Sequence, residues 1–492
     1  MIVQTTTGAV RGKERRGVAT WRGIPYATAP RFRPPQPLAP WTGVRDALEF
    51  GPFAMQVRDP RAAMMSGVTD KTAMSEDSLV LNVYAPLAPS AKPRPVLVWV
   101  HGGAFIMGAG SQPLYDGTSF AANHDIVVVT INYRLGLLGL LYLGDLLGDD
   151  FAAGNATLLD QIAALEWVRD NIAAFGGDPN AVTLMGESAG AVSVAHLLVA
   201  PRARGLYHRA ILQSGAFGLI ARSREDATQF AKEVVAQLGV PASELPNVPV
   251  DSLLAAQHQI SLTRGLGAFS PFVDGVTIPR PPIEMVRRGE GTKVPIIVGS
   301  NRDEWMLFDT FLGHDNTQLV ATQLKVHLGA PLMDRLHATY RAARASAAST
   351  DARADARAWV DLIGDMAFLM PAIQLAEAHA GHAPVHMYRF DFGTQMLGAA
   401  HALELPFVWN VIDGPFAQLL LGPDAAAAAP LATAMHGAWA SFIRTGKPDT
   451  RPAWPTYDVE RRTTLLLDRS AMLVEDPVSE LRKMWTELLA PR

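Results

Sequence analysis

The sequence predicts an α/β protein: a large, mostly parallel central sheet with helices on its faces and a helical C-terminal elaboration. Three observations carry that expectation. Short apolar runs rich in β-branched residues recur along the chain, as strands buried on both faces require. Stretches with helical spacing lie between them. The segment from about Gln318 to Ala380 is rich in Ala, Leu and Arg and reads as helical.

The elements follow in order. Pro95 to Val100 (PVLVWV) and Ile126 to Asn132 (IVVVTIN) are the first clear strands. Leu165, Val168, Ile172 and Phe175 mark one face of a helix, which should close on the Gly176-Gly177-Asp178-Pro179 turn. Val182 to Met185 is a strand running straight into Gly186. Ala210 to Gln213, Pro295 to Gly299 and Val385 to Phe392 complete the set. Ala425 to Ala429 reads as a loop or helix start before Pro430. No linker or repeat divides the chain, so one domain over 1–492 with helical insertions is expected.

Composition narrows the function. The 492 residues are 49 % hydrophobic and 18 % charged, which excludes a disordered chain. There is no cysteine, so disulfides, Cys-ligated zinc, iron–sulfur clusters and thiol nucleophiles are excluded together. The formal net charge of −4 offers no electrostatic basis for binding nucleic acid or an anionic membrane. The first residues lack the apolar core of a secretory signal, and Leu135 to Leu143 is too short to span a bilayer. A cytoplasmic protein, monomeric or weakly homo-oligomeric, is the expectation.

Gly186-Glu187-Ser188-Ala189-Gly190 is the G-x-S-x-G of the chain. It stands between a buried strand and an apolar run suited to a helix, Ala189 to Val199. A serine on so sharp a strand-to-helix turn is strained, and only residues without side chains fit two positions before and after it. Ser188 is therefore the candidate nucleophile. His101-Gly102-Gly103-Ala104-Phe105 follows the strand ending at Val100. The N–H groups of Gly102, Gly103 and Ala189 can converge on one oxygen as an oxyanion hole. His101 precedes the nucleophile and reads as a structural residue.

These motifs, with Trp21-Arg-Gly-Ile-Pro-Tyr-Ala27, Ser75-Glu-Asp-Ser78-Leu-Val-Leu-Asn82, Asn132-Tyr-Arg-Leu-Gly136 and Asn171-Ile-Ala-Ala-Phe-Gly-Gly-Asp-Pro179, resemble the type-B carboxylesterases. That family of α/β-hydrolases includes bacterial para-nitrobenzyl esterases and the cholinesterases. The resemblance covers nearly the whole chain. It implies a serine esterase without a cofactor, acting on small-molecule esters, and the apolar residues near the motifs favour uncharged ones. Chain order on such a fold is Ser, then acid, then His. Leu397-Gly-Ala-Ala-His401-Ala-Leu-Glu404 is similar to the family's histidine loop, which implies His401 as base. Asp303 and Glu304 are both candidates for the acid, and the resemblance selects Glu304. It also implies that Ser214 supports the acid, and Glu187 is the family's usual neighbour of the nucleophile. Ser78 stands where secreted relatives place a cysteine.

An amidase, carbamate hydrolase or acyltransferase would use the same triad, and a non-catalytic binding protein on this fold would lack it. Phe105, Met107, Phe217, Phe272, Met306, Leu307, Phe308 and Phe311 are candidates for an apolar pocket. His379, His382 and His386 cluster in the sequence, but Gly381 and Pro384 interrupt any helix that would align them, so a loop without metal is expected.

Overall fold

The structure, a computed structural model, describes residues 1–58, 69, 71–215, 222–344 and 351–489. Its frame is an eleven-stranded sheet. In chain order the strands are β1 (Lys13–Arg15), β2 (Val18–Pro25), β3 (Val80–Pro86), β4 (Arg94–Val100), β5 (Val127–Ile131) and β6 (Gly177–Glu187). They continue as β7 (Arg209–Gln213), β8 (Ile296–Asn301), β9 (Val385–Phe390), β10 (Thr463–Leu467) and β11 (Ala471–Glu475). Across the sheet the order is β11-β10-β9-β8-β7-β6-β4-β5-β3-β2-β1. From β5 to β10 the neighbours are parallel. Antiparallel strands finish both edges.

The apolar runs are continuous because both faces of the sheet are covered. In β4, Val96, Val98 and Val100 enter one core, while Leu97 and Trp99 enter the other. The helices α1 (Ala156–Asn171), α2 (Ala189–Leu197), α3 (Met306–Leu312), α4 (Asp351–Gly364), α5 (Met370–Ala380) and α6 (Ala425–Thr445) supply the covering layers. Leu158 of α1, Val192 of α2 and Leu375 of α5 join the first core. Met435 and Trp439 of α6 join the second, behind Trp99.

Two local expectations change, and one open alternative is decided. Of the expected Gly176-Gly177-Asp178-Pro179 turn, Gly176 alone closes the helix, at φ 83°; Gly177 already pairs with Arg94, and a register shift before Val182 absorbs the residues between. Ala425 to Ala429 is helix, the first turn and more of α6. His379 and His386 do not share a loop, because α5 runs to Ala380 and β9 begins at Val385. One helical stretch, Ala354–Ala380, is long and apolar enough to cross a membrane, but 78 % of its most apolar window is buried inside the protein. It is a core helix, interrupted at Asp365–Leu369 by a π-helical turn. Where the sequence has Ser78, no covalent tether exists. Arg31 instead pairs with Glu76 at 2.5 Å and also donates to the carbonyls of Pro246 and Val248.

Candidate active site

The strands of the parallel block end on a common edge, and chemistry in open α/β sheets collects at those carboxyl ends. Ser188 follows β6 directly, with φ 54° and ψ −124°, before α2 begins at Ala189. The steric reason is plain in the two flanking glycines. A Cβ on Gly190 would lie 2.0 Å from the Val100 carbonyl oxygen, and one on Gly186 would lie 2.4 Å from the Gly190 carbonyl carbon. The turn is held by the Ser188 N–H, which donates to Gln213 O of β7 at 2.9 Å.

The loop after β4 lies against this turn. A Cβ on Gly102 would meet Glu187 Oε2 at 2.7 Å and Ser188 Cβ at 3.1 Å, so only glycine brings the backbone this close. Gly103, at φ 112°, accepts from the N–H groups of Ile106 and Met107. Among the described residues, the N–H groups of Gly102, Gly103 and Ala189 donate to no protein acceptor. His101 is structural, as its place in the chain suggests. Its ring stacks on Tyr133 with centroids 4.3 Å apart, and burial pushes its pKa down to about 4.

Glu304 and His401 meet although 97 positions separate them. Glu304 follows β8, and its Oε2 lies 2.6 Å from His401 Nδ1. The Asn301 N–H donates to its other oxygen at 2.7 Å. Asp303, the alternative acid, faces away. It binds Arg302 and Arg357 and accepts the Ala399 N–H at 2.9 Å, while its own N–H donates to Ala399 O. Asp303 therefore fastens the histidine loop to α4, and Glu304 holds the ring.

The other ring nitrogen meets a second carboxylate. His401 Nε2 is 3.0 Å from Glu187 Oε1, out of line for a hydrogen bond. Ser188 Oγ makes no hydrogen bond to His401 in this arrangement. A third carboxylate, Glu404, is wholly buried and accepts from Gln213 Nε2 at 3.2 Å and Asn301 Nδ2 at 2.7 Å. Burial pushes the pKa of Glu187 and of Glu404 up; the His401 imidazolium opposes this, and the neighbouring carboxylates reinforce it. For His401, burial favours the neutral ring, but Glu187 and Glu304 together outweigh it and raise the pKa to about 9.

Ser214 sits at φ 47° after β7, its N–H bound to Gly299 O at 2.9 Å. Its buried hydroxyl has no hydrogen-bond partner and does not reach Glu304, so the acid is held by Asn301 instead. Of the apolar candidates, Phe308 packs on the His401 ring at 5.2 Å between centroids. Phe368, on the π-helical turn, joins it at 4.8 Å. Phe272 lies elsewhere, against Tyr142, and Leu307 is in the second core. Phe217 falls outside the described residues.

Asn301, Glu404 and Phe368 are site residues that sequence reasoning missed. The one signal available was the spacing of Glu404, a helical turn beyond His401. The three clustered histidines each turn a ring nitrogen to a backbone carbonyl, of Val294, Arg287 and Pro455. No group able to hold a metal ion occurs among the described residues.

Comparison with known proteins agrees with this geometry. The carboxylesterase family matches residues 1–484. The para-nitrobenzyl esterase of Bacillus subtilis (strain 168) is 38 % identical over 98 % of both chains. The phenmedipham hydrolase of Pseudarthrobacter oxydans is 36 % identical over 96 % of this chain and 97 % of its own. Among solved structures, a thermophilic para-nitrobenzyl esterase superposes with a TM-score of 0.86 at 36 % identity, covering 98 % of this chain and 99 % of its own. A Geobacillus stearothermophilus carboxylesterase does so with a TM-score of 0.84 at 40 % identity and the same coverage. The chain belongs to the carboxylesterase family, on the α/β-hydrolase fold, and is a serine carboxylesterase.

Proposed function

We propose that the protein hydrolyses uncharged carboxylic esters through an acyl-enzyme on Ser188, with His401 as base and Glu304 as its orienting acid. One observation carries the assignment: the buried 2.6 Å contact between Glu304 and His401 Nδ1, in a cluster that reaches the Ser188 turn through Glu187. Glu304 fixes the tautomer that leaves Nε2 free to accept a proton, and it stabilises the imidazolium once formed. For transfer, Nε2 must turn from Glu187 to Ser188 Oγ. Such contacts commonly tighten only when substrate binds.

Oγ then attacks the ester carbonyl as His401 takes its proton. The oxyanion would be met by the N–H groups of Gly102, Gly103 and Ala189, whose lack of internal partners fits the role. Each such donor is usually worth roughly 3–4 kcal/mol in the transition state. His401 returns the proton to the leaving alcohol, and water repeats the cycle on the acyl-enzyme. Phe308 and Phe368 beside the ring keep the site apolar, which supports neutral rather than ionic substrates.

Reaction class is tested with para-nitrophenyl esters of graded acyl length against the matching anilides. The expected result is a burst of nitrophenol and a kcat/KM for esters at least 100-fold above that for anilides. Anilide turnover equal to ester turnover would reassign the protein as an amidase.

A further inference from the structure

The edge of the sheet opposite Ser188 carries a cavity of about 480 Å³. It lies where β7, β8 and β9 begin, at Arg209, Pro295 and Pro384, beside the turn that ends α6. Its size falls within the range of small-molecule sites.

The polar groups in its wall are unevenly matched. Among the described residues, no hydrogen bond or ion pair engages the Arg209 guanidinium, and its Nη1 is shut from solvent without an acceptor. Burial pushes its pKa down, as expected of a cation lacking compensating charge. Space for it is kept by Gly446, at φ 77°, where a Cβ would come within 3.3 Å of Arg209 Nε. The Lys447 ammonium in the same wall also makes no ion pair among the described residues. His208 Nδ1 accepts the Val182 N–H at 3.3 Å, so the neutral ring carries its proton on Nε2 as a further donor. Against these donors the wall offers one carboxylate, Asp449, which pairs with neither cation.

The remaining wall mixes Thr445, Thr450, Thr456 and His386 with an apolar strip of Trp454, Ala453 and prolines. Trp454 spends its Nε1–H on Met387 O, and so turns only carbon toward the cavity alongside Pro295 and Pro384. A half-buried guanidinium whose Nη1 lacks an acceptor favours an anion, and prolines with an indole favour a flat or branched hydrocarbon body.

We propose that this cavity binds a small organic carboxylate, with Arg209 as its counter-ion and Trp454 against its hydrocarbon part. The site is remote from Ser188, and the assignment does not depend on the triad. Carboxylates are also the products of ester hydrolysis, so this second site would sense the acid that the protein releases.

The test is isothermal titration with benzoate, benzamide and inorganic phosphate, after organophosphate treatment to block the catalytic pocket. One benzoate per chain is expected, with benzamide and phosphate each at least 10-fold weaker. Arg209→Gln should weaken benzoate at least 10-fold, while ester hydrolysis without benzoate stays unchanged. Lys447→Gln, at an exposed position, should weaken it about threefold and serves if the first variant fails to fold. No benzoate binding, binding indifferent to both substitutions, or equal binding of benzamide or phosphate would overturn the proposal.

Discussion

At His401 the protonation state is set by a contest between burial and two carboxylates. Burial alone would hold the ring neutral, yet Glu187 and Glu304 lift its pKa to about 9. A base must be neutral to act, so kcat/KM should rise with pH from neutrality toward 9 and fall away below. Glu187→Gln removes the largest of the raising charges. The rising limb is then expected to move to lower pH. The profile is measured by pH-stat with an aliphatic ester. A limb that stays in place would mean that Glu187 does not govern the base. The same sign applies to stability. The raised pKa stabilises the fold fully below the ring's ordinary value of 6.5, and the contribution fades as pH climbs through about 9.

The elbow is where sequence and structure agree most closely, because everything it needs is local. Gly186, Ser188 and Gly190 lie within five positions, and the strand and helix that flank them are both strongly patterned. Sterics at this turn are severe enough to measure. In Gly190→Ala the new methyl would fall 2.0 Å from a backbone oxygen of β4, which cannot swing aside as a side chain would. Loss of about 2–3 kcal/mol is expected, from backbone shifts of the kind overpacking forces, read as a lower urea midpoint with an unchanged m-value. Elements governed by distant partners were less legible. Gly177 looked like a turn residue because nothing nearby announces that Arg94 pairs with it. Ser214 looked like support for the acid, but its hydroxyl is buried without a partner, and the Asn301 N–H takes that place.

On the scale of the whole molecule, the sheet converts separations of about a hundred residues into contact. Ser188, Glu304 and His401 follow β6, β8 and β9, whose carboxyl ends lie on one edge. The alternating apolar runs made that sheet readable, since strands buried on both faces leave an unmistakable composition. Phe368 was not readable, and Glu404 only by its spacing from His401, because a buried carboxylate or ring acquires its meaning from what packs on it. Asp303 illustrates the same limit. It stands next to Glu304 in the sequence, yet the arginines from α4 and β8's end hold it away from the His401 ring as a buried anchor for the histidine loop. The claim that one pocket unites the three residues is tested most directly by covalent trapping. The protein is treated with a para-nitrophenyl phosphonate and its peptides are read by mass spectrometry, in the wild type, Ser188→Ala and His401→Gln. One adduct per chain on Ser188 is expected, absent in the first variant and formed at least 1,000-fold more slowly in the second; equal labelling of Ser188→Ala, or rapid labelling of His401→Gln, would contradict it.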